Sequence, residues 1–139
     1  MKKKIGLIAG SFDIIHPGYV KMFREAKEVA CDLLIVALQE DPTIDRPQKI
    51  KPIHTWEERK EVLLAIRYVD TVLRYNTESE LLSLLKNTDY DVRILGSDYV
   101  DKNYTGKELG KDVHFCNRNH DYSLTSLKYS IYESLKQRQ

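Results

Sequence analysis

The stretch Lys4-Ile5-Gly6-Leu7-Ile8-Ala9-Gly10-Ser11-Phe12-Asp13-Ile14-Ile15-His16-Pro17-Gly18-Tyr19 decides how the chain is read. Ile5 to Ala9 is a short apolar run rich in β-formers, Gly10-Ser11 breaks it, and Pro17-Gly18 opens an amphipathic segment, so the local order is strand, turn, helix. A turn at the carboxyl end of a strand is where open α/β sheets bind ligands. Gly10 lets a ligand approach the backbone with no Cβ in the way, and the free N–H groups at the start of the next helix favour an anion, phosphate above all. His16 stands just ahead of that helix as a further donor that gains a charge when protonated.

The rest of the chain is compatible with one domain spanning residues 1–139, long enough to bury roughly 65–70% of the surface its unfolded form exposes. Lysine plus arginine number 22 against 21 acidic residues, a net charge of +1, so bulk charge gives no footprint of a nucleic-acid binder and any anion site is local. Cys31 and Cys116 are far apart and lack metal-ligand spacing, which suits reduced structural thiols in a cytoplasmic protein. The apolar run after the basic Met1-Lys2-Lys3-Lys4 ends at Gly10-Ser11, too soon for a signal segment or a membrane span, and no membrane partner is expected.

Working outward, Val20, Phe23, Ala26 and Ala30 recur at helical spacing and predict a helix from Gly18 to Ala30. Asp32 to Leu38 is a nearly unbroken apolar run, as in a strand buried on both faces. Gln39 to His54 carries Pro42, Pro47 and Pro52 among charges and reads as an active-site flap. Thr55-Trp56-Glu57-Glu58 is a capping box, with Val62, Leu63, Ala65, Ile66 and Val69 expected as the buried stripe of its helix. A β-like stretch over Val69 to Tyr75 precedes a second capping box, Thr77-Glu78-Ser79-Glu80, and a leucine-rich helix ending near Asn87. Val92 to Gly96 and Asp112 to Cys116 are the remaining strands, and Ser123 caps a last helix whose apolar positions are Leu124, Leu127, Ile131 and Leu135. This order calls for an α/β fold, a single-domain Rossmann-like parallel five-stranded sheet with helices on both faces.

Parallel strands point their carboxyl ends one way, so the loops after Ala9, Leu95 and Cys116 share one edge with the flap. They bring His16, then Ser97-Asp98-Tyr99, then Arg118 with Ser123 and Thr125, while the flap adds Lys49 and Lys51. That set holds cations, hydroxyls and helix starts but no nucleophile with a base and no acid–base carboxylate pair, so it is equipped to hold polyphosphate. Asp13 reads as a carboxylate that bonds backbone N–H groups of the turn.

Gly10-Ser11-Phe12-Asp13-Ile14-Ile15-His16-Pro17-Gly18-Tyr19 resembles the G-[TS]-F-D-x-x-H-x-G-H signature of the nucleotidyltransferase superfamily, in its cytidylyltransferase branch. The likeness continues in His54-Thr55-Trp56-Glu57-Glu58-Arg59-Lys60, in Ile66-Arg67-Tyr68-Val69-Asp70, in Gly96-Ser97-Asp98-Tyr99 and in Arg118 followed by Ser123 and Thr125, and is strongest to the glycerol-3-phosphate cytidylyltransferase family. The resemblance implies in-line attack by an alcohol phosphate, glycerol 3-phosphate or similar, on the α-phosphorus of CTP, giving a CDP-alcohol and pyrophosphate, with Mg²⁺ accompanying the nucleotide and a homodimer as the assembly. It implies catalytic roles for His16, Arg118, Lys49 and Lys51, and nucleotide contacts from Gly10, Ser11, Phe12, Gly18, Tyr19, Arg59, Arg67, Gly96, Asp98, Ser123 and Thr125, with Asp98 accepting from the exocyclic amine of cytosine and no residue serving as a metal ligand. One position departs: the second histidine of the motif is Tyr19, whose hydroxyl stays neutral at pH 7. An ATP-dependent adenylyltransferase of the same fold and a non-catalytic nucleotide-binding module are the alternatives.

Overall fold

All five runs read as strands lie in one sheet. A computed structural model describes residues 2–118 and 120–138. In it β1 (Ile5–Gly10), β2 (Leu33–Gln39), β3 (Thr71–Tyr75), β4 (Val92–Gly96) and β5 (Asp112–Cys116) run parallel in the order β3-β2-β1-β4-β5. The chain steps outward from β1 to β2 and β3, then returns to place β4 on the other side of β1. That reversal opens a crevice at the carboxyl end of β1.

Alternation along the strands assigns the two faces. Ile8, Leu34, Val36 and Ile94 pack with Phe23 and Ala26 on α1 (Pro17–Glu25, continued by a π-helical turn over Ala26–Ala30) and with Leu63 on α2 (Trp56–Leu64). Leu7, Ala37 and Tyr75 point the other way, onto Leu81 and Leu85 of α3 (Glu78–Asn87). Each buried leucine or phenylalanine contributes about 1.5–3 kcal/mol. Both capping boxes form as the sequence predicts, Thr55 with Glu58 and Thr77 with Glu80, and the Ser123 hydroxyl accepts from the Ser126 N–H at the start of α4 (Leu124–Lys136).

Two expected helix faces are corrected. α2 stops at Leu64, so of its predicted stripe Leu63 and Val69 are buried while Val62, 41% exposed, and Ala65 face solvent. The side chain that fills the inner face instead is Arg59, 2% exposed. α4 has no buried residue; Ile131 and Leu135 are exposed, and Leu124 and Leu127 are half-buried. Its anchor is ionic: Lys128 Nζ lies 2.7 Å from Asp13 Oδ2, with side chains only 9% and 1% exposed. Among the described residues no helix is long and apolar enough to cross a membrane.

Arg59 acts as a fastener. Its Nη1 donates to the carbonyls of Ser11 (2.8 Å) and Gln39 (2.6 Å), Nη2 to that of Glu40 (2.7 Å), and Nε to those of His54 and Thr55. These carbonyls belong to the ends of β1 and β2 and to the start of α2, where ladder partners have run out. Replacing Arg59 by Met strands several buried acceptors, and urea denaturation is expected to show a loss of about 3 kcal/mol, with Arg59→Lys recovering only part of it.

Candidate functional site

The turn after β1 is built from a strained residue and a close contact. Phe12 has φ of 39°, a left-handed conformation that a side chain disfavours. Its ring sits where a Cβ on Gly10 would come within 3.0 Å, and it packs edge-on against Tyr19 and Phe23. A side chain at residue 10 would therefore displace Phe12, and with it the direction in which the turn's backbone faces.

His16 is the N-cap of α1, and its Nδ1 accepts from the Gly18 N–H at 3.1 Å. That bond leaves the neutral ring's proton on Nε2, which is buried and has no partner among the described residues. Burial, then the charge of Arg118 and the nearby His120, hold His16 below the usual histidine range. The ring is thus a neutral donor at pH 7. Tyr19 stacks on it with ring centroids 4.0 Å apart, and Tyr122 lies parallel on another side at 6.2 Å. His120 repeats the arrangement, Nδ1 accepting from the Tyr122 N–H at 3.2 Å and Nε2 unpartnered. A Cβ on Gly18 would stand 2.9 Å from both imidazoles, so the two rings meet over this glycine. Burial raises the Tyr19 hydroxyl above its ordinary value.

Asp13 receives the end of the flap: Oδ2 accepts from the Ile53 N–H at 2.7 Å and Oδ1 from the His54 N–H at 2.9 Å, with Lys128 closing the third side. Burial pushes this carboxyl up, but Lys128 and the two amides outweigh it and leave it below the ordinary value. With these partners Asp13 is not a free ligand.

Two adjoining cavities open at this edge. The larger, about 350 Å³, is lined by Gly10, Ser11, Phe12, Tyr19, Lys49, Gly96, Asp98 and Arg118 from the sequence-predicted set. It also takes in Arg46, Tyr75, Glu78, Arg93, Tyr99, Asn103 and Tyr104. The second, about 290 Å³, joins Gly10, Ser11, Tyr19 and Lys49 to Ser123, Thr125 and Lys128. His16 stands behind Tyr19, in reach of Arg118 by charge. Arg118 Nη1 is 3.8 Å from Asp98 Oδ1, and its N–H donates to the Ser97 hydroxyl.

His16 and Gly18 line neither cavity, and three further predicted residues are placed elsewhere. Lys51 is 79% exposed at 4.0 Å from Asp41. Arg59 is spent on carbonyls, as described. Arg67 lies past the end of α2, exposed, over the ring of its neighbour Tyr68. Conversely, the site gains Arg46 from the flap, Arg93 from within β4, and His120 and Lys128 from the last connection and helix. Arg93 and Lys128 gave no signal, since a lone cation inside a strand or helix reads as solvated; His120 had only its closeness to Arg118. Away from the cavities, Glu25, His114 and Cys116 bring one donor atom each within 4.8 Å, with Glu25 already bonded to His114 at 2.6 Å. Burial, then Glu25, pushes the Cys116 thiol up to about 12. Cys31, also free and buried, is raised by burial.

Residues 7–138 match the family described as cytidylyltransferase-like. The chain belongs to this family. Among cytidylyltransferase-like relatives, bifunctional protein HldE of Gluconacetobacter diazotrophicus is 39% identical over 111 residues, 76% of this chain and 22% of that protein. FAD synthase of Thermococcus kodakarensis is 39% identical over 98 residues, 70% of this chain and 65% of that enzyme. The chain therefore spans about a quarter of the HldE proteins and just under two thirds of the FAD synthase. The fold is shared with a lipopolysaccharide core biosynthesis protein from Thermoplasma volcanium, at a TM-score of 0.65 and 24% identity over 88% of this chain and 100% of that one.

A depressed histidine has a definite pH signature. Because folded His16 protonates below the unfolded value of about 6.5, it adds no instability above that pH, and stability declines as pH falls below it until the folded value is passed. Asp13 adds stability that persists above the ordinary carboxylate value and is lost as pH falls through its lower folded one. His16→Asn keeps a capping acceptor without the titration, so the stability advantage of the wild type over it is expected to shrink between pH 7 and pH 5 in urea titrations.

Proposed function

We propose that the chain is a nucleotidyltransferase: it binds a nucleoside triphosphate across the two cavities and joins its nucleoside monophosphate to an acceptor, releasing pyrophosphate. The observation that carries this reading is the buried, unpartnered Nε2 of His16, held as a neutral donor beside Arg118 at the turn after β1. A buried donor without a partner is unfavourable until an acceptor oxygen arrives. An oxygen of the acceptor attacks the α-phosphorus in line; the new P–O bond forms as the bond to the bridging oxygen of pyrophosphate breaks. No protein nucleophile is needed, and catalysis consists of positioning and of stabilising the charge that spreads over the phosphorus oxygens.

Each role follows from placement. Lys49 and Arg46, which line both cavities, reach the triphosphate from the flap, and Arg118, which lines the larger, clamps it as a planar fork. His16, set against Tyr19 and lining neither cavity, donates its Nε2 proton to the reacting phosphate. Ser123 and Thr125 present the start of α4 to the distal phosphates. Among the described residues the smaller cavity has no carboxylate in its wall, and both oxygens of Asp13 accept from backbone amides, so these residues form no cage for Mg²⁺ there. The ion would ride on the nucleotide's own phosphates and water, where it supplies charge neutralisation.

Asp98 sets the base. A carboxylate accepts from the exocyclic amine of adenine or cytosine and repels the carbonyl oxygen that guanine and uracil carry at the equivalent position. The likeness to an FAD synthase favours ATP, since FAD contains an adenylyl group, and with ATP the acceptor is a phosphate monoester. The opening motif favours CTP as the second reading. In thermal-shift titration ATP or CTP is expected to stabilise the protein and GTP and UTP much less. Pyrophosphate release with a panel of phosphate monoesters, flavin mononucleotide and glycerol 3-phosphate among them, tests turnover, and His16→Ala should slow it about 100-fold or more. Nucleotide binding with no release across the panel would leave a binding module; no nucleotide shift at all would overturn the reading.

A further inference from the structure

The deepest cation in the larger cavity has no counterion among the described residues. Arg93 lies in the middle of β4, opposite Leu7 of β1, and so projects onto the α3 face, where the other strand side chains are apolar or aromatic. It is 5% exposed. Its Nη1 donates to the Thr105 carbonyl at 2.6 Å and its guanidinium lies over the Tyr104 ring at 5.3 Å, yet Nε is buried without a partner. Among the described residues it forms no ion pair. Glu78, the carboxylate that influences it, is engaged by the Thr105 hydroxyl at 2.6 Å and lies 3.7 Å from Arg46. A guanidinium without a carboxylate in a wall of Leu7, Tyr75 and Leu85 is a strongly unfavourable placement unless something with negative charge comes to it.

The rest of the cavity says what that is. If the nucleotide reading holds, on which this inference rests, the base lies by Asp98 and the phosphates by Ser123 and Lys49. The end of the cavity next to Tyr75, Glu78 and Arg93 is then left for the acceptor. We propose that Arg93 is the anchor of the acceptor subsite and receives an oxyanion, phosphate or carboxylate, carried by the acceptor. Tyr75, kept protonated by burial far above neutral pH, offers a neutral donor in the same wall. The fork of Nε and its neighbouring nitrogen matches such a group in two parallel bonds, which a lysine could not supply.

The test uses the full chain saturated with an α,β-methylene analogue of the nucleotide that it binds, so that nothing turns over and the triphosphate groove is filled. Inorganic phosphate and, in a separate arm, acetate are then titrated by calorimetry. Saturable binding of either supports the subsite, and the arm that saturates more tightly names the group. Arg93→Met should weaken it by at least about 30-fold, and Arg93→Lys should fall between, with the analogue's own affinity unchanged within about twofold in both. If neither anion binds the loaded wild type, or Arg93→Met binds as well as the wild type, the inference is wrong while the nucleotide reading stands. Loss of analogue and anion together in both variants would show Arg93 to be scaffold and overturn it likewise. If the analogue does not bind the wild type, both readings fall.

Discussion

Two buried ionic side chains, Arg59 and Asp13, finish what the sheet leaves undone. At the carboxyl edge of a parallel sheet the backbone ladder ends, and the carbonyls and amides beyond it need other partners. Arg59 supplies donors to the ends of β1 and β2 and to the start of α2, and Asp13 supplies acceptors to the end of the flap while holding Lys128 of α4. Four segments distant in sequence are thereby fixed around the turn that carries Phe12 and His16. The cavities exist because these contacts are polar and directional; apolar packing at the same place would have closed the crevice.

The site that results is uncharged at its centre and cationic around it. His16 is neutral, Tyr19 is neutral, and the cations Lys49, Arg46 and Arg118 stand around them. An imidazole pinned by Gly18 donates in a fixed direction without a desolvated charge of its own, and the second imidazole at Gly18 comes from His120 in the last connection, not from the motif position that Tyr19 fills. Tyr19 instead supplies a flat surface against which His16 is held.

The five strands, their common direction and both capping boxes were legible because each depends on short-range pattern or on the alternation of strands with helices. What the sequence hid has one physical cause. Arg59 and Arg93 are buried and the Lys128 side chain is nearly so, whereas periodicity treats a cation as a solvent-facing mark; their placement depends on carbonyls, rings and a carboxylate brought from elsewhere in the chain. The same error credited α2 and α4 with apolar stripes, because residues such as Val62 and Ile131 have the right spacing but nothing opposite them. Glu25, His114 and Cys116 were equally invisible, being a product of β5 lying under α1.

α4 closes one wall of the smaller cavity while burying none of its own residues, and its inward hold is the Lys128–Asp13 pair. Two free energies are thereby separated. Releasing this helix opens the smaller cavity but removes no residue of either core face, so unlatching it takes less than global unfolding. A bound polyanion touching both the β1 turn and the start of α4 would bridge the latch from the other side, making substrate itself part of the tether that keeps the last helix in place.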